Sequence, residues 1–131
     1  MLATLGAAAP GSLELDFAGL RSATGLIRIC LTTSPKGFPD CKADPSAITR
    51  TLGAEQHNTR FDALPAGDYA VSVIHDENAN ARLDTFAGIP REGFGFSRNP
   101  VITFGPPSFK AARFAIAATP VKQTVRLRYF L

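Results

Sequence analysis

The chain predicts an all-β fold, a single antiparallel β-sandwich of about seven strands. Three observations predict it: short runs of alternating apolar and polar residues, turn-forming clusters at close spacing between them, and no long stretch with helical period. Eleven glycines and ten prolines supply many turns yet stay below low-complexity composition. With 45% hydrophobic and 19% charged residues the chain is globular in character, and 131 residues suffice for one domain with a real core. Residues 13–131 are expected to form that domain, and residues 1–12 a disordered N-terminal remnant.

The elements follow in order. Leu13, Leu15 and Phe17 alternate with Glu14 and Asp16, the signature of a half-buried strand. A turn around Gly19 to Gly25 leads to a second strand, with Ile27, Ile29 and Leu31 on one face and Arg28 on the other. These two strands are expected to pair as a hairpin. The segment from Ser34 to Thr49 carries Pro35, Pro39 and Pro45 and cannot be regular sheet, because proline gives the ladder no donor. Asp44-Pro45 is a candidate cap for one helical turn. A short strand is expected over Ile48 to Leu52. Phe61 to Ile74 reads as a hairpin turning at Leu64-Pro65-Ala66-Gly67. Its second strand is expected to be central, with Tyr69, Val71 and Val73 in the core, since both faces are fairly apolar. Pro100 to Phe104, the alternating Phe114 and Ile116, and the closing segment complete the set. In the last, Val121, Gln123, Val125, Leu127 and Tyr129 share a face opposite Lys122, Thr124, Arg126 and Arg128.

A formal charge of +3 comes from basic residues scattered singly or in pairs. A nucleic-acid footprint needs a cluster or stripe, so that class of partner is excluded. No apolar run approaches the roughly 20 residues of a membrane-spanning helix. The opening MLATLGAAAPG ends like an export signal but lacks a charged first region and a long apolar core. It reads as either a frayed terminus or the end of such a signal, the second being favoured.

The candidate working surface runs from His75 to Ser97. Asp76, Asn78, Asn80 and Asp84 occupy positions one, three, five and nine of a loop, the spacing with which oxygen side chains curl around a hard cation. The Arg82 carbonyl and Glu92 would complete a calcium site. The competing reading is a turn in which Asp and Asn cap their own backbone. No thiolate is nearby, which argues against zinc or copper. His75, beside Asp76 and Glu77, is either a general base oriented by a carboxylate or a hydrogen-bonded structural residue; no nucleophile signature accompanies it. Phe94, Phe96 and Ser97 lie on a glycine-flanked segment. They form either an exposed recognition loop or aromatics folded back over the open end of the sandwich. Cys30 and Cys41 are the only cysteines and would form a disulfide in an exported protein.

The sequence HDEN-x-N followed by L-D-T, G-I-P, E-G and G-F-S, then G-P-P-S-F, together with F-x-x-L-P-A-G-x-Y-A-V at Phe61 to Val71, resembles a bacterial family. It is domain of unknown function 2141, whose members are extracytoplasmic. The likeness runs from Leu13 over nearly the whole chain, with Ala81 where the family has glycine. It implies an export signal, a periplasmic or secreted location and a prealbumin-like or immunoglobulin-like sandwich, with no assigned activity. The function expected is therefore a non-enzymatic binding or structural module, with another envelope protein, a glycan or a small ligand as partner and calcium as the one candidate cofactor. The alternatives are a hydrolase-like enzyme using His75 with Asp76, Glu77 or Glu92, and a carrier of small apolar ligands.

Overall fold

The computed structural model describes residues 9–79, 92–102 and 105–130, and the backbone of 85–86 and 89–90. Its strands are β1 (Gly11–Ala18), β2 (Leu26–Thr32), β3 (Ile48–Gly53), β4 (Asn58–Leu64), β5 (Gly67–Asp76), β6 (Thr85–Phe86), β7 (Ile89–Pro90), β8 (Gly93–Phe96), β9 (Phe114–Ile116) and β10 (Val121–Arg126). A 3-10 turn at Pro35–Gly37 and a one-turn helix α1 at Phe109–Ala112 are the helical elements among the described residues. Among the described residues seven strands have four residues or more, and they build the two sheets of an all-β sandwich.

The smaller sheet has the order β10-β1-β4 and the larger β3-β2-β5-β8, with β9 added at the start of β5. Most pairs are antiparallel, but β1 and β10 run parallel, with Leu13 opposite Val121 and Phe17 opposite Val125. Both expected hairpins are absent. β1 lies in the smaller sheet and β2 in the larger; β4 pairs with β1 while β5 pairs with β2 and β8. Each connection thus crosses from one sheet to the other. Alternation correctly gave the buried face of each strand, but it carries no information about the neighbour.

The core forms where those faces meet. Leu13, Leu15 and Phe17 of β1, Phe61 of β4 and Val125 of β10 pack against Ile27, Ile29 and Leu31 of β2 and Tyr69, Val71 and Val73 of β5. β5 is central in its sheet, as its apolar run requires. Along one side the sheets are joined by a bridge between Phe94 and Arg128, each donating its N–H to the other's carbonyl. On the other side Arg50 of β3 reaches the Arg60 carbonyl of β4 at 2.7 Å and Thr59 Oγ1 at 2.8 Å, with its guanidinium 3.9 Å above the Phe61 ring.

A second apolar cluster covers the outer face of the larger sheet: Ala70, Phe94, Phe96 and Ala112, with Phe38, Ile102 and Phe109 packed on it. Phe38 belongs to a flap between β2 and β3, and its ring meets Phe96 and Phe109 edge-on. Cys30 and Cys41 are bonded, with their Cα atoms 5.7 Å apart, and so anchor this flap to the sheet. Ser72 Oγ donates to the Pro39 carbonyl, and Thr32 donates to Asp44 at 2.6 Å. Asp44-Pro45 forms a turn closed by Ala47 N–H to the Asp44 carbonyl at 3.1 Å, not the expected helical turn. Residues 100–102 are not strand, and 103–104 lie outside the described residues.

Candidate functional site

The last residues of β5 alternate like the rest of the strand, so His75 turns inward and Asp76 outward. His75 is fully buried. Its Nε2 lies 2.8 Å from the Thr24 carbonyl, an acceptor, so Nε2 carries the proton. Nδ1, 2.6 Å from the Tyr129 hydroxyl, then accepts the tyrosine proton. Tyr129 arrives on the continuation of β10, facing inward with Val125 and Leu127 as the alternation required. Gly93, opposite His75, leaves room for the Tyr129 ring: a Cβ at Gly93 would sit 2.3 Å from that ring. Gly95 serves the same purpose beneath Val125 and the Arg126 carbonyl. The Gly-Phe-Gly-Phe run is therefore a strand with glycines inward for close approach and phenylalanines outward.

Asp76 is also fully buried, and Arg28 holds it with Nε 2.9 Å from Oδ2. The two meet diagonally across β2 and β5, where Arg28 is opposite Ile74 and Leu26 opposite Asp76. Glu77 takes the Arg21 guanidinium at 2.6 and 3.0 Å and the Ser22 hydroxyl at 2.9 Å. The hydrogen bond from Arg21 holds the Glu77 carboxyl below the usual range against the opposing effect of burial. Arg21 also lies 4.4 Å over the Tyr129 ring, and its backbone N–H reaches the Tyr129 hydroxyl at 3.3 Å. Burial pushes the Tyr129 hydroxyl up, opposed by that backbone hydrogen bond. Glu92 is buried, and its charge adds to the field that stabilises the Arg21 cation, after the larger contribution of the Glu77 hydrogen bond.

These placements correct the recognition-loop reading. Phe94 and Phe96 are buried in β8, and Ser97 is buried with its hydroxyl donating to the Ala112 carbonyl and accepting from Val71 N–H. None of the three presents a contact surface. Of the expected oxygen donors, Asp76 is engaged by Arg28 and Asn78 is exposed at the turn that follows. Ala79 N–H closes that turn on the Asp76 carbonyl at 3.2 Å, with Ala79 at a φ of 55°. Asn80, Arg82 and Asp84 lie outside the described residues. Among the described residues, no group of three or more His, Cys, Asp and Glu side chains converges as a metal site.

The sequence reading missed Arg21, Arg28 and Tyr129. An arginine on the outer face of a strand and a tyrosine ending an inward apolar row were the available signals. A family model described as an uncharacterized protein conserved in bacteria, domain of unknown function 2141, matches residues 15–124. No curated protein and no solved structure matches the chain.

Proposed function

From the premise that the chain belongs to this bacterial family, we propose that it is a non-enzymatic extracytoplasmic binding or structural module. Its working surface is the excursion between β5 and β8. The observation that carries this reading is the fastening at the root of that excursion. His75, Asp76 and Glu77 are each committed to a partner within the fold, Tyr129, Arg28 and Arg21 respectively. A general base must offer a ring nitrogen within reach of a substrate proton. His75 is fully buried with both nitrogens engaged, which favours a positioning role over hydrolysis. A rigid root under a long excursion is how sandwiches present a binding surface.

The extracytoplasmic setting is supported by the Cys30–Cys41 disulfide, since such bonds persist in oxidising compartments. No helix among the described residues is long and apolar enough to cross a membrane. Replacing residues 79–91 with a short glycine-serine linker tests the reading. The parent protein is expected to co-sediment with isolated bacterial envelopes, and the variant to stay folded and lose that association. Equal retention of both, or no association by the parent, overturns it.

Calcium remains the cation proposed for the excursion, because Asn78, Asn80 and Asp84 offer oxygen donors suited to a hard ion. Arg28 already neutralises Asp76, so the site is expected to be weak. At a hundredfold excess over the dissociation constant, calcium would stabilise the fold by about 2.7 kcal/mol. Thermal melts with millimolar calcium and with chelator test this. Identical midpoints leave a hydrogen-bonded turn and no cation.

A further inference from the structure

The two exposed large apolar side chains among the described residues are Val101, 88% exposed, and Phe130, 51% exposed. Both line one concavity of about 160 Å³, together with Ile102 and Arg128. Its floor is built in. Ile102 packs on the outer aromatic cluster, and the Phe130 ring stands edge-on to Phe94 at 5.3 Å. Arg128 is fixed by its backbone, which exchanges two hydrogen bonds with Phe94. Its side chain is exposed, and its guanidinium has no hydrogen bond or ion pair among the described residues. Three apolar side chains and an arginine without a side-chain partner among the described residues thus line one concavity.

We propose that this concavity binds a small apolar monocarboxylate, a free acid with a short acyl or similar body. A guanidinium fork matches the two oxygens of a carboxylate, and that charge-assisted pair supplies orientation. Val101, Ile102 and Phe130 would pack on the ligand's hydrocarbon body and release water from both surfaces. The volume is below the roughly 300–1,000 Å³ of drug-sized pockets, so the ligand is small or only partly enclosed. A single arginine between apolar walls does not suit a polyanion, which needs several cations. This site is separate from the excursion between β5 and β8.

The intact protein, titrated with octanoate and followed by backbone and methyl resonances, provides the test. Saturable shifts are expected at Val101, Ile102, Arg128 and Phe130, with acetate and octanol each binding at least about tenfold more weakly. Arg128→Gln should weaken octanoate about tenfold and leave octanol unchanged, with an unaltered thermal midpoint confirming its fold. Val101→Ser should weaken both. The proposal is overturned by no saturable shift at these residues up to about 10 mM octanoate, or by equal octanoate binding to Arg128→Gln. It is also overturned if these residues respond to phosphatidylglycerol vesicles and not to free octanoate. Octanoate binding should survive replacement of residues 79–91, so the two readings fail independently.

Discussion

Two excursions leave the larger sheet, and they are fastened by different physics. The flap between β2 and β3 is anchored by the Cys30–Cys41 bond and by Phe38 against Phe96 and Phe109. The excursion after β5 is anchored at its root by Arg28–Asp76, Arg21–Glu77 and His75–Tyr129. A disulfide acts mainly by restricting the unfolded chain and does not titrate. The ionic root acts in the folded state, and its worth depends on burial, salt and protonation. The flap is thus sensitive to reductant and the excursion root to pH and charge, although Asp44 gives the flap one titratable support of its own.

The largest effect should come from Arg28→Met. It takes the Arg28 cation away from the fully buried Asp76 carboxylate and should cost about 3 kcal/mol by chemical denaturation. Combining it with Asp76→Leu should recover most of that loss, because an apolar pair of similar volume tolerates burial. A single variant that unfolds like the parent would remove Arg28 from the fastening.

Cys30→Ser with Cys41→Ser should cost roughly 2–3 kcal/mol, given a sequence separation of 11 residues. Intact mass under non-reducing conditions checks the starting bond. The loss should be equal at neutral and mildly acidic pH. A pH-dependent loss would show that the flap is not held as described.

Tyr129→Phe removes the proton that His75 Nδ1 accepts and should cost about 1–2 kcal/mol. The fold should persist, because Gly93 still accommodates the ring. Stability equal to the parent would mean that water replaces the hydroxyl and that the contact contributes nothing net.

Arg21→Gln should have the smallest effect, below about 1 kcal/mol, since Arg21 is 41% exposed. Its pH dependence is the informative part. The Glu77 carboxyl is held low in the fold, chiefly by the Arg21 hydrogen bond. Its stabilisation is therefore fully present above the ordinary carboxylate value and lost as pH falls through the lowered one. Parent and variant should differ at neutral pH and converge on acidification. A gap that widens on acidification would contradict that assignment.

Much of the fold was legible in the chain because side-chain alternation is a local property. Leu13 to Phe17, Ile27 to Leu31 and Tyr69 to Val73 face the core as their period requires, and the apolar character of both β5 faces marked it as central. The cysteine pairing was legible too, since a short proline-rich excursion between two thiols returns easily. The site was legible only in its location. Alternation placed His75 and Asp76 on opposite faces, yet their partners Tyr129 and Arg28 stand 54 and 48 residues away. The glycines of that segment, Gly93 and Gly95, are the places where β10 and its continuation approach the sheet, which a local pattern does not show.

The sequence by itself determined an all-β chain, the inward face of each main strand and the position of the long excursion. These follow from backbone pleat and residue type, which need no knowledge of the rest of the molecule. Only the tertiary structure decided which strands are neighbours, that β1 and β10 run parallel, and which cations meet Asp76 and Glu77. Sequential strands often pair, and that tendency suggested two hairpins that do not form. The apolar faces of β1 and β4 instead close over those of β2 and β5, so each connection must cross between sheets to bury both.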